Sequence, residues 1–304
     1  MKKILVLGAS GFVGKNVANH FADLGHGVTR HGFTREADIQ ADLCKPGAVD
    51  YAGYDVLVQC AAATTGCKDT LNDPAMHIPT NAVMNSYVLK EAAQAGVGHV
   101  IFPSCSVMFA SSPVAQKESD WDASAELNPA YLGFASTKIY CEQLCRFYAN
   151  ISDTKFTVVR NSNFFGPHDK YDLERSHVFG ASITKVMTAT DKVTVWGSGE
   201  EARDFVHISD FCRFVELAIE KQKDKFALFN CGYGIAFKIK DLVAKIVTAS
   251  GKSLAVEHDL SAPTIPTSLC LDCTKAQEEL GWNPQVTLPE GIKMTLEWWR
   301  SNCV

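Results

Sequence analysis

The chain has 304 residues, 46% hydrophobic and 21% charged, with 29 Lys and Arg against 34 Asp and Glu for a formal net charge of −5. That balance excludes general disorder, which arises where too little apolar side chain is available to offset ordering entropy. It also argues against a nucleic-acid binder, which needs a basic stripe, while leaving room for a locally positive pocket that takes a small anion.

The chain opens on Ile4-Leu5-Val6-Leu7, too short for a signal-peptide core and followed by glycines, not by a cleavage site. No stretch approaches the roughly 18 apolar residues of a membrane helix. Strand-like apolar runs at 4–7, 28–30, 56–60, 97–102 and 156–160 alternate with helical spacing at 14–24, 82–95 and 136–149. Such alternation predicts βαβ units feeding a parallel sheet, and continuous apolar runs predict a sheet covered on both faces. After about Gly166 the regularity fades into mixed short elements, with a long loop through 261–268. Eleven cysteines, an odd count scattered through apolar positions such as Cys60, Cys141 and Cys145, fit a reducing cytoplasm. Cys270 and Cys273 form a C-x-x-C without a second pair of ligands, so no metal is expected.

Gly8-Ala9-Ser10-Gly11-Phe12-Val13-Gly14 follows the first strand and opens a helix. In that position one glycine serves the turn, one the approach of backbone to a pyrophosphate, and one the packing of helix on strand. The helix N-terminus then offers free N–H groups to the phosphates. An acidic residue at the end of the second strand would accept the ribose hydroxyls of NAD; the chain instead reads Val28-Thr29-Arg30-His31-Gly32-Phe33-Thr34-Arg35. Arg30 or Arg35 could pair with a 2′-phosphate, which favours NADP(H). Asp42-Leu43 either flanks the adenine or caps the turn before Pro46.

Several motifs carry a resemblance. The G-x-x-G-x-x-G loop, Cys60-Ala61-Ala62-Ala63, Arg160-Asn161-Ser162-Asn163-Phe164-Phe165-Gly166-Pro167 and Arg203-Asp204-Phe205-Val206-His207 resemble the extended short-chain dehydrogenase/reductase family across nearly the whole chain. Gly166-Pro167-His168-Asp169, Ser176-His177-Val178 and Val195-Trp196-Gly197-Ser198-Gly199 are most similar to that family's GDP-L-fucose synthase branch, 3,5-epimerases and 4-reductases.

The resemblance implies a doubly wound parallel (Rossmann) sheet in residues 1–166, with the cofactor at Gly8, Ser10, Gly11, Phe12, Val13, Gly14, Ala61, Ala62, Ala63 and Lys138. A smaller α/β lobe over 167–304, exchanging some segments with the first, would bind a nucleotide sugar, GDP-linked by the branch. Asn163, Val178, Lys185, Trp196 and Arg203 would contact it, Arg203 at the diphosphate, and His177 would be the proton donor for epimerisation. A homodimer through the helices containing 82–95 and 136–148 is also implied. The residue chemistry agrees in part, since arginine's planar fork suits diphosphate and an imidazole exchanges protons near neutrality.

One departure bears on activity. The family's Tyr-x-x-x-Lys pair, whose tyrosine protonates the ketone oxygen as hydride arrives, here reads Phe134-Ala135-Ser136-Thr137-Lys138. The i, i+4 spacing is intact and the hydroxyl is gone. A naturally silent relative and an introduced Tyr→Phe change both explain this; the retained constellation favours a disabled enzyme.

The family's catalytic serine falls in Pro103-Ser104-Cys105-Ser106-Val107-Met108-Phe109 in one of two registers. One places Cys105 on the serine; the other places Ser104 there and Ser106 where fucose synthases carry an epimerisation cysteine. Without a carboxylate pair after this serine, a 4,6-dehydratase is disfavoured. Thr264-Ile265-Pro266-Thr267-Ser268 lacks the basic residues usual in fucose synthases, which leaves other nucleotide bases and C4 reduction without epimerisation open.

Overall fold

The computed structural model describes residues 1–64 and 66–303. In chain order its elements are β1 (Lys3–Leu7), α1 (Phe12–Asp23), β2 (Gly27–Gly32), β3 (Ile39–Gln40), β4 (Val56–Gln59), α2 (Cys67–Asn72), α3 (Ile78–Gln94), β5 (His99–Pro103), α4 (Pro129–Ile151), β6 (Lys155–Asn161) and β7 (Asn163–Phe165). They continue as α5 (Val178–Thr188), β8 (Lys192–Trp196), β9 (Ala202–His207), α6 (Ile208–Lys221), β10 (Phe226–Cys231), β11 (Ala236–Lys238), α7 (Ile239–Ser250), β12 (Ala255–Asp259), β13 (Ser268–Leu269), α8 (Thr274–Leu280) and α9 (Leu288–Asn302).

The expected parallel sheet is present, in the order β10-β6-β5-β4-β1-β2-β3, with every neighbouring pair parallel. Its strands read as unbroken apolar runs because both faces are covered, and Val56, Leu57 and Val58 of β4 are all buried. Val17, Phe21, Phe211 and Phe214 from α1 and α6 fill one face. Met84, Val88, Cys141 and Cys145 from α3 and α4 fill the other. The strand order reverses between β1 and β4, so the crevice at their carboxyl ends is where a ligand of such a sheet binds.

Two features escaped the periodicity. Helix α4 begins at Pro129, well before residue 136, because the Asn128 side chain caps the Ala130 N–H and Pro129 takes the first helical position. The second half also supplies β10, which pairs with β6 and extends the first sheet.

Elsewhere in the second half, β9 pairs with β7 and β13 in parallel and with β11 antiparallel, while β8 pairs with β12. A separate core lies beneath them, including Phe179, Phe205, Leu242, Leu296 and Trp299. Among the described residues no helix is long and apolar enough to cross a membrane. The ten cysteines with described side chains are free thiols. No cluster of three or more His, Cys, Asp or Glu side chains able to hold a metal occurs among the described residues.

Candidate functional site

The glycine loop leaves β1 at Gly8, whose φ of 70° is left-handed. A Cβ there would stand 2.6 Å from Ala61 Cα, and one on Gly14 would stand 2.3 Å from Gly8 O. Gly11 is the N-cap of α1; no side chain caps this helix and its first turn holds no acidic residue. Its N–H groups therefore remain available to an anion. Phe12 and Val13 anchor the first turn against the core. Buried His31 braces the loop from β2: Nδ1 accepts from the Gly8 N–H at 3.4 Å, and Nε2 donates to Ala41 O at 3.0 Å. That pairing requires a neutral ring, and burial lowers its pKa accordingly. A cradle with no room for Cβ and an uncapped helix end suit a dinucleotide pyrophosphate.

The two arginines considered for a 2′-phosphate are placed differently. Arg35 folds back over the loop, its Nη1 donating to Ser10 O at 3.1 Å. Arg30 turns toward α1, donating to Asn19 Oδ1 at 3.1 Å. The Asp42 carboxylate accepts from the Cys44 N–H at 3.0 Å, and Leu43 is buried in the core below.

Ala61, Ala62 and Ala63 follow β4 over a buried amide network. The Asn81 side chain both donates to and accepts from Ala63 backbone, each at 3.0 Å. Asn85 donates to Asn81 O at 2.8 Å and accepts from Gln59 Nε2 at 2.9 Å. The sequence signal for this network was two asparagines one helical turn apart on an otherwise apolar face.

Phe134 and Lys138 occupy successive turns of α4. Lys138 Nζ donates to Pro103 O at 2.8 Å and lies 4.8 Å from the Phe102 ring centroid and 5.8 Å from that of Phe134. Phe134 packs against Cys105, Met108, Phe109 and Leu271.

The loop after β5 splits its three candidates. Ser104 turns inward and donates to Glu142 Oε1 at 2.6 Å. Cys105 is buried in the cluster around Phe134, and burial pushes its thiol up to about 12. Ser106 faces a cavity of about 340 Å³, which Tyr131, Asn163 and Arg203 also line.

Arg160 of the resemblance motif lies beneath this loop. It holds Glu142 through Nη2 at 2.8 Å and Nε at 3.2 Å, and donates to Glu118 O at 3.0 Å. Sequence reasoning missed Glu142, although a lone carboxylate among Cys141, Cys145 and Ala149 on α4 marks it.

In the cavity, Asn163 Nδ2 donates to Asp204 O at 3.0 Å. Among the described residues the Arg203 guanidinium has backbone acceptors alone: Ala202 O at 3.0 Å, Ile265 O at 2.8 Å, and Thr267 O. Asp204, also missed, is buried; its carboxylate accepts N–H groups of Tyr233, Gly234 and Leu271 at 2.7–3.1 Å. Burial outweighs those donors and raises its pKa to about 6.

The remaining candidates stand outside that cavity lining. His177 is the N-cap of α5 and Val178 its first residue. His177 is exposed; partial desolvation and the Lys170 ammonium lower its pKa. Lys185 donates to Thr194 O at 3.1 Å and lies 4.7 Å from the Trp196 ring centroid, pairing those two residues.

Comparison with known proteins matches residues 4–232 to the model of the NAD dependent epimerase/dehydratase family. A dTDP-4-dehydro-6-deoxy-D-allose reductase from Streptomyces sp is 27% identical, over 98% of this chain and 96% of that one. The GDP-L-colitose synthase of Yersinia pseudotuberculosis is 26% identical over 97% of both chains. The GDP-L-fucose synthase of Escherichia coli (strain K12) is 28% identical over 82% of this chain and 81% of that one. Among solved structures, the UDP-glucose 4-epimerase of Thermotoga maritima with UDP-glucose superimposes with a TM-score of 0.83 at 23% identity, over 99% of this chain and 100% of that one.

Proposed function

The chain belongs to the NAD dependent epimerase/dehydratase family, and we propose that it is built to bind NADPH and a nucleotide-diphosphate 4-keto-6-deoxysugar for reduction at C4. The observation that carries this reading is the cavity beside the β5 loop, lined by Arg203, whose guanidinium is bonded among the described residues to backbone carbonyls alone. A diphosphate offers that fork paired charged acceptors, which carbonyl oxygens do not. The relatives' names supply the sugar class: a 4-dehydro-6-deoxy sugar reductase and two GDP-deoxysugar synthases.

Arg35 on the glycine loop favours NADPH over NADH. Bound there, NADPH supplies hydride for C4. Lys138 orients the nicotinamide ribose, and Ser106 and Asn163 hold the sugar. Phe134 cannot give O4 its proton, a loss of roughly 10²–10⁴ in rate where a positioned acid is removed.

Epimerisation before reduction is the second reading, with His177 and a loop thiol moving protons at carbons flanking the ketone. The burial of Cys105, with Ser106 at the cavity instead, favours reduction alone. Deuterium incorporated from solvent at C3 or C5 separates the two. A homodimer is proposed through α3 and α4, which present Val83, Tyr140, Phe147 and Ile151 outward.

NADPH oxidation by this chain and by Phe134→Tyr, offered GDP- and dTDP-linked 4-keto-6-deoxysugars, tests the reading. Turnover that rises by two orders of magnitude or more in the tyrosine variant supports a disabled reductase. Cofactor binding without oxidation in either protein points instead to a non-catalytic nucleotide-sugar or NADP binder.

A further inference from the structure

The segment after β7 crosses toward the glycine loop and carries a lysine with it. Pro167 O accepts from Asn16 Nδ2 at 2.9 Å, which ties the segment to the start of α1. Three residues on, Lys170 reaches the stretch after β4, where its Nζ donates to Thr64 Oγ1 at 3.0 Å and to Thr64 O at 3.4 Å. That stretch continues directly from Ala61, whose backbone abuts Gly8. The root of the side chain is fixed as well, since a Cβ on Gly180 would lie 2.4 Å from Lys170 O. The lysine backbone is thus seated on α5 while its ammonium reaches the stretch that leaves β4 beside the glycine loop.

The electrostatics of this ammonium are unusual for a lysine. Among the described residues its hydrogen bonds go to the neutral oxygens of Thr64. Among the described residues no carboxylate forms an ion pair with it. Asp169 and Asp172 act on it from a distance, against Arg175 and Arg35, the latter held on Ser10 O of the glycine loop. A half-buried cation within electrostatic reach of a second cation, on a segment tied through Pro167 to the first turns of α1, makes a local demand for negative charge.

We propose that Lys170 is a second clamp on the dinucleotide, closing on its pyrophosphate from the side opposite the N-terminus of α1. This rests on the reading of the glycine loop as a dinucleotide site. The two cations then divide the cofactor: Lys170 acts on the phosphates that NADH and NADPH share, whereas Arg35 acts on the 2′-phosphate that only NADPH carries.

Equilibrium binding of NADPH and of NADH to the full chain, to Lys170→Met, to Lys170→Arg and to Arg35→Met tests the division. Loss of one charge-assisted phosphate contact weakens binding about tenfold. Lys170→Met is expected to lose that factor for both dinucleotides, Lys170→Arg to recover most of it, and Arg35→Met to lose affinity for NADPH alone. Lys170→Gln serves the same purpose should methionine disturb folding. Parental affinity in Lys170→Met overturns the clamp and leaves the dinucleotide reading standing, and so does a loss confined to NADPH. If the parent chain binds neither dinucleotide, both the reading and the clamp fail.

Discussion

Replacing Glu142 by Ala should unfold the protein more readily than almost any other single truncation on α4. Its carboxylate accepts from Ser104 and from two nitrogens of Arg160, and both charged side chains are only 4% exposed. Without it the guanidinium keeps Glu118 O and the ring faces of Phe109 and Trp121, at 5.3 and 5.7 Å. Breaking a buried pair from one side costs about 3–5 kcal/mol, and an orphaned buried hydroxyl adds about 1 kcal/mol. A chain of 304 residues has an unfolding entropy of about 0.6 kcal/mol/K, so a loss of ~4 kcal/mol lowers the melting midpoint by about 6–7 °C.

Urea unfolding and thermal melts followed by circular dichroism measure both quantities. The double variant Glu142→Leu with Arg160→Met should recover most of the loss, because apolar side chains of similar volume replace a buried pair at little cost. A Glu142→Ala protein within about 1 kcal/mol of the parent would show that the carboxylate is not held as described. It would also remove the reason for the Ser104 hydroxyl to turn inward.

Two further outcomes follow from burial and exposure. His99 and His207 are buried, and burial lowers both to about 4. Unfolded histidines protonate near 6.5, so the unfolded state binds more protons below that pH; stability should fall between pH 6.5 and 4 by up to about 3 kcal/mol per residue. His99→Gln should remove its share of that slope in urea titrations run across the range; an unchanged slope would contradict the assignment. On the outer face of α4, Phe147 is 52% exposed and Ile151 63%. Phe147→Lys should convert a dimer to a monomer in sedimentation velocity without lowering the thermal midpoint, whereas a parent that sediments as a monomer rules out the proposed interface.

Much of the main sheet was legible because its strands are buried on both faces and so read as unbroken apolar runs. The glycine loop was legible because Gly8 and Gly14 each meet a backbone atom that no Cβ could approach, which ties composition to geometry one residue at a time. The cavity was legible through Asn163 and Arg203, which belong to motifs, and through Ser106 in one of the loop's two registers. Glu142, Asp204, Asn81 and Asn85 were missed for a common reason. Each takes a partner from another element, so a polar residue on an apolar stretch marks the place while the sequence leaves the partner unstated. The Ser104-Cys105-Ser106 loop shows the limit most directly. Three small residues in a row point inward, into a hydrophobic cluster and toward a cavity, and only the departure angle of the chain from β5 decides which does which. Lys170 lay unnoticed between Asp169 and Tyr171 because its chemistry comes from crossing to Thr64, a contact of sequence separation 106.

The pairing of β10 with β6 also bears on how the protein is made. Strand β6 is complete when residue 161 has been synthesised, but its outer neighbour begins at Phe226. At about 5–20 residues per second, the nascent sheet waits several seconds with the β6 edge unprotected. During that interval its unpaired N–H and C=O groups are a template for any other strand, including β6 of a neighbouring nascent chain. A ribosome stall between residues 161 and 226 would prolong the exposure, and chains released there would carry a hydrophobic sheet that lacks its last strand.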